Sequence, residues 1–130
     1  MLLGLTIILT TIQGLIGGPI AGGVGGGVVI VASTSLGDVT SAIMGSSGLL
    51  IFHAFEGVLI VVLALVVSVL SFRYKSRGVR VFAILSLIAA LITAAAGYVH
   101  MGGNSAGIPI MGEGFIVTYA FLFMTLYSTK

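Results

Sequence analysis

Arg73-Tyr74-Lys75-Ser76-Arg77-Gly78-Val79-Arg80 is the only strongly basic stretch of the chain, and it separates two long apolar runs, Leu49 to Phe72 and Val81 to Val99. Each run is near the ~20 residues a helix needs to cross bilayer hydrocarbon. The segment therefore reads as a short basic turn between two membrane helices. A third long run, Ile108 to Leu126, follows a few residues later. The first part of the chain is less regular: Leu2 to Ile16 is apolar apart from Thr6, Thr10, Thr11 and Gln13, and Gly17 to Gly27 contains seven glycines and Pro19. Membrane helices tolerate glycine well, so a helix is predicted from about residue 2 to 22, loosening or kinking near Pro19.

Composition agrees. The 130 residues are 58% hydrophobic and 6% charged, with a mean hydropathy of +1.31, which places the chain among integral membrane proteins and predicts a single domain. There is no cysteine, which excludes disulfide exchange, thiolate metal sites and CxxCH haem attachment. The net charge of +2 comes from too few basic groups to make a nucleic-acid surface.

The basic residues also predict orientation. Arg73, Lys75, Arg77, Arg80 and Lys130 lie in the turn or at the C-terminus, whereas residues 33–47 and 102–107 carry none. By the positive-inside rule both termini and the turn face the cytoplasm. The expected fold is an all-α integral membrane protein, an antiparallel four-transmembrane-helix bundle with spans at about 2–22, 49–72, 81–100 and 108–128. A secretory signal is the rival reading of residues 2–32, but it lacks a basic n-region, so the first span is expected to be retained in the cell membrane.

His53 lies twenty residues before Arg73 and His100 twenty residues after Arg80, and there is no other histidine. At ~1.5 Å per residue each imidazole stands about 30 Å from the turn, near the opposite face of the bilayer. The same layer holds Pro19, Gly17, Gly18 and Gly22 on the first span, Glu56 on the second, Gly97 and Tyr98 on the third, and Met111, Glu113 and Gly114 on the fourth. Ionisable groups inside spans are costly and generally face the bundle interior or water. Two imidazoles at one height fit axial ligation of a haem iron, because zinc wants three or four protein ligands whereas a porphyrin brings four nitrogens of its own. Each histidine also has a structural reading, as a ring bonded to a backbone carbonyl or water.

The candidate cofactor residues are thus His53 and His100 as ligands, with Gly17, Gly18, Glu56, Gly97, Met111 and Gly114 around them. Glu56, three residues after His53, would orient the ring, relay a proton or sit as a hydrogen-bonded carboxyl. Glu113 reads as a hydrated surface carboxylate. Met101 and Met111 are thioether candidates or space fillers. Gly14, Gly18, Gly22 and Gly26 form a small-residue ladder, suited to close helix packing or to a flat macrocycle. Phe52, Phe55, Tyr98, Phe115 and Tyr119 would wall a porphyrin or form interfacial belts. Ser46, Ser47 and Asn104 would meet its propionates.

Phe52-His53-Ala54-Phe55-Glu56-Gly57, early in the second span, together with the four-span plan, resembles small four-helix b-type membrane cytochromes, in particular one half of a heme A synthase. The resemblance implies haem in a four-helix membrane module. It departs from that family in two places: the family's second histidine opens the fourth span whereas His100 ends the third, and the family's arginine after the first histidine is here Ala54. Chemistry on the haem periphery is not carried over.

The leading expectation is a b-type (protohaem IX) electron carrier near the outer face, more an electron-transfer protein or respiratory subunit than a stand-alone enzyme. Its partners would be a quinol or an extracytoplasmic redox protein, in a homo-oligomer or a larger membrane complex. The alternatives are an oligomeric proton- or cation-translocating protein using Glu56 or Glu113, a non-catalytic structural subunit, and an outer-face copper site.

Overall fold

A computed structural model describes residues 1–21, 35–101 and 106–129. Five helices and no strand are found among them: α1 (Leu2–Ala21), α2 (Leu36–Met44), α3 (Gly48–Ser71), α4 (Arg77–Met101) and α5 (Gly107–Tyr127). α3, α4 and α5 are long and apolar enough to cross a membrane, and α1 contributes a shorter apolar helix, Leu2–Gly17. α1 packs on α3 and α5, α3 on α4, and α4 on α5, so the four long helices close a ring. The α4–α5 pairing is the most extensive.

The polarity of the bundle is reversed relative to a protein in water. Large apolar side chains such as Leu15, Val58, Val69 and Ile116 point outward, while the buried positions are mostly small or hydroxyl-bearing: Ala64, Ala83, Ala89, Ala90, Ala96, Thr6, Thr10, Ser68, Ser71, Ser86, Thr118 and Thr125. Every one of these hydroxyls is internally satisfied. Thr6, Thr10, Thr118 and Thr125 donate to the carbonyl four residues back, at 2.7–3.0 Å. Ser68 instead crosses to α4, donating to the Ala83 carbonyl at 2.8 Å, and Ser86 donates to the same oxygen at 2.8 Å. In hydrocarbon an unpaired hydroxyl would cost several kcal/mol, so these bonds are what let polar atoms occupy the interior.

Glycine sets the helix spacing. A Cβ on Gly114 of α5 would collide with Thr93 of α4, and one on Gly14 of α1 with the Phe115 ring of α5. Gly107, the first residue of α5, is the tightest point against α4 backbone: a Cβ there would lie 2.5 Å from the Ala96 carbonyl oxygen and 2.7 Å from His100 Cβ.

The basic segment divides between a turn and a helix. Arg73 and Tyr74 follow α3, whereas Arg77, Gly78, Val79 and Arg80 form the first turn of α4, with the Ser76 hydroxyl accepting from the Val79 amide at 3.5 Å. α4 thus begins four residues before the predicted span, because long basic side chains can leave the apolar layer from within a helix. α1 continues through Pro19 to Ala21. The one element not anticipated is α2, in the connection 33–47. Ser35 caps it by accepting from the Asp38 amide at 3.4 Å, and Asp38 sits in the first turn where the helix dipole favours an acid. Val39 buries against Ile20, Leu50 and Met101, with Ile16, Ile43 and Tyr98 packed around them, so α2 covers the end of the bundle opposite the basic turn.

Gly107→Ala is expected to destabilise the protein by about 1–3 kcal/mol through overpacking against α4 backbone. Gly112→Ala, where an added Cβ meets nothing within 4 Å, is expected to be neutral or to stabilise by up to ~1 kcal/mol from helix propensity. Thermal unfolding of both variants in detergent, followed by circular dichroism, checks the contrast.

Candidate functional site

Two side chains, Gln13 and His53, meet where α1 crosses α3. Gln13 is the one carboxamide of α1, and its Nε2 donates to the His53 carbonyl at 3.2 Å and lies 3.4 Å from His53 Nε2. An amide nitrogen only donates, so the facing ring nitrogen is the acceptor and the imidazole proton belongs on Nδ1. His53 Nδ1 is buried without a partner. The ring reaches α1 because Gly17 has no side chain: a Cβ there would stand 2.9 Å from His53 Cε1 and 3.5 Å from Nε2. Gly57 does the same for Gln13, whose Nε2 would be 3.1 Å from a Cβ at that position.

Glu56 is 4% exposed, and neither of its oxygens has a hydrogen-bond partner. It therefore does not bond His53, as the three-residue spacing had offered. The helix twist separates the two: His53 and Gly57 meet α1, while Glu56 continues the buried line Ile60, Ala64 and Val67. Gln13 Oε1 is also buried and unpartnered. An isolated charge in such a place costs several kcal/mol, so Glu56 holds either a proton or a counter-cation. The functional residue that the sequence reading passed over is Gln13, a lone amide in an apolar run; that oddity was its only signal.

His100, on the last turn of α4, is 8% exposed with its Nδ1 unpartnered. Its main chain backs onto Gly107. The Ser68–Ala83 bond fixes the antiparallel register of α3 and α4. Carried one for one along the pair, that register brings His53 level with Tyr98 and His100 level with Ile51. The two imidazoles are thus offset by two residues, about 3 Å along the axis. They share one end of the bundle, but His53 turns to α1 and no hydrogen bond joins the two rings.

The other candidates are placed as follows. Gly97 is packed by Met111, whose Sδ would be 3.2 Å from a Cβ there, and Gly114 by Thr93. Both glycines thereby serve α4–α5 packing. Met101 is buried in the apolar cluster under α2. Phe52 and Phe55 point outward, and Phe115, Tyr119 and Phe123 form a strip of neighbouring rings along α5. Ser46 donates to the Ile43 carbonyl at 2.6 Å, and Ser47 caps α3. Glu113 is exposed on α5, in the wall of a groove with Ile92 and Ile110. Gly18 is described only as part of the α1 backbone, and Gly22, Gly26 and Asn104 lie outside the described residues.

Among the described residues no three His, Cys, Asp or Glu side chains gather as a metal site. His100 keeps an unpartnered buried Nδ1, whereas the unpartnered nitrogen of His53 is the one that carries the ring proton. The bare Gly17 face is occupied by the His53 ring itself, and with Nε2 facing the Gln13 amide nitrogen the ring offers no free lone pair in this conformation; turning the Gln13 amide so that its unpartnered Oε1 accepts from Nε2–H would free Nδ1. No family model, curated protein or solved structure matches this chain.

Replacing Glu56 by Leu removes a buried unpartnered carboxylate and is expected to stabilise the protein in detergent by about 1–4 kcal/mol. A lowered unfolding temperature would instead mean that Glu56 holds a partner whose loss outweighs the gain.

Proposed function

We propose that this chain is a membrane b-type cytochrome. In this reading both termini and the basic turn are cytoplasmic, and one protohaem is held between His53 and His100 near the outer face of the cell membrane. The chain serves electron transfer as a homo-oligomer or as a small subunit of a respiratory complex, with quinol or an extracytoplasmic redox protein as its partner. The observation that carries the reading is the pair of imidazoles at one end of the bundle, offset by about 3 Å in height, with His100 holding a buried unpartnered Nδ1.

Haem, when bound, would supply a one-electron couple, and His53 and His100 are the residues that would hold it. The remaining roles belong to the protein. Gln13 would orient the His53 ring once its amide turns so that Oε1 accepts from Nε2–H and Nδ1 is freed, Gly17 leaves the space the ring occupies, and the outward apolar surface excludes water from the site. Metal-bound histidines depend on such orienting partners, whose loss typically costs ~10–100-fold in affinity.

Protein purified from haem-replete cells is expected to be red, with a Soret band that shifts on dithionite reduction and a low-spin spectrum. His53→Ala and His100→Ala are each expected to abolish that spectrum. An unchanged spectrum in either variant would reassign the ligand, and colourless protein would remove the proposal.

A second reading is favoured by Glu56, a carboxylate 4% exposed with both oxygens unpartnered. There the chain is an oligomeric proton- or cation-translocating protein and Glu56 is its exchangeable site. Proteoliposomes would then show proton- or sodium-coupled flux that Glu56→Gln stops; parent protein without flux would eliminate this reading.

A further inference from the structure

Four cations crowd one end of the bundle with no acid to meet them. Arg73 and Lys75 lie in the connection after α3, and Arg77 and Arg80 lie in the first turn of α4. Arg73, Lys75 and Arg77 are exposed and Arg80 is half-buried. None of the four forms an ion pair among the described residues. The three acidic residues are elsewhere: Asp38 is on α2, Glu56 lies fifteen residues before the end of α3, and Glu113 fourteen before the end of α5. Glu56 and Glu113 are thus each about 20 Å along their helices from the cations. Like charges gathered this closely repel, so an anion brought from outside would stabilise them.

The surroundings of the cations suit a phosphate. The end of α5 abuts the start of α4 at Gly78, where a Cβ would lie 3.3 Å from the Ser128 hydroxyl oxygen and 3.6 Å from that of Ser76. Two hydroxyls therefore border one bare stretch of backbone. Ser76 accepts from the Val79 amide, which leaves its own proton to donate. Arg77 and Arg80, three residues apart, share a side of α4. Arg80 Nε is buried and has no acceptor; a guanidinium that turns to a phosphate bonds two of its oxygens at once. α3 and α4 are long and apolar enough to cross a membrane, so the connection between them lies at a boundary of the apolar layer, where lipid phosphates stand. Phe72, Tyr74 and Tyr127 are exposed at this same end, as aromatic rings at headgroup level are.

We propose that this end of the α3–α4 hairpin binds the phosphate of an anionic phospholipid, held by Arg77 and Arg80 with Arg73 and Lys75 alongside. A zwitterionic lipid fits less well, because its ammonium would meet no carboxylate here among the described residues. The site is separate from the imidazole layer and is the same whichever way the chain lies in the membrane.

The test is native mass spectrometry of the full-length protein in maltoside detergent with equal amounts of palmitoyl-oleoyl phosphatidylglycerol and phosphatidylcholine. Phosphatidylglycerol is expected to be retained about tenfold or more over phosphatidylcholine. A cation at the membrane surface contributes a factor of about five, so Arg77→Gln and Arg80→Gln are each expected to lower that preference about fivefold. Gly112→Ala, at an open position on α5, is expected to leave it unchanged. Arg77 is exposed, so its variant decides the matter even where loss of the half-buried Arg80 disturbs folding. Equal retention of the two lipids overturns the proposal, as does a preference undiminished in Arg77→Gln. Inorganic phosphate at matched ionic strength is expected to leave the lipid bound; displacement by it overturns the lipid assignment in favour of a soluble anion.

Discussion

Close approach of helix backbones at glycine is the constraint on which the rest of this bundle depends. Lipid chains are as apolar as leucine, so burying large side chains between membrane helices gains little, and packing is governed by how near the main chains can come. Gly107 against Ala96 and His100, Gly114 against Thr93, and Gly14 against Phe115 are the points where that distance is set. Once the helices are this close, small residues take up much of the space between them, beside a few larger ones such as Leu122 and Val79. The interior accordingly fills with alanines and with serines and threonines whose hydroxyls bond nearby carbonyls.

The same economy of space creates the polar layer. Gly17 and Gly57 are the two places on the α1–α3 contact where a missing side chain admits a polar one, an imidazole in the first case and a carboxamide in the second. Gln13 then ties the two helices through the His53 carbonyl and presents its second proton to the ring. This pairing fixes the His53 tautomer without any acidic residue. Glu56 is left as a separate, unpaired group on the interior line of α3.

Much of the architecture could be read from the chain because the length of an apolar run is a direct consequence of bilayer thickness. The runs ending at Phe72, Val99 and Leu126 correspond to α3, α4 and α5. α2 escaped because nine residues give too little periodicity to stand out, although Ser35, Asp38, Val39 and Ile43 carried its cap and its apolar face. The site was less legible. Spacing in sequence says which residues share a side of one helix, but it does not say which neighbour that side meets. His53 and Glu56 are three apart and reach different surroundings, while Gln13, forty residues away, is the true neighbour of His53.

The two ends of the α3–α4 hairpin are held by different kinds of force. Near the turn, Ser68 and Ser86 converge on the Ala83 carbonyl, a directional contact that tolerates little sliding. At the far end, Leu50 and Met101 meet in an apolar cluster roofed by α2, where contacts can shear with small penalty. The hairpin is thus built like a pair of tweezers, riveted at the bend and compliant at the tips. Sliding of α3 against α4 is thereby confined to the end that α2 covers.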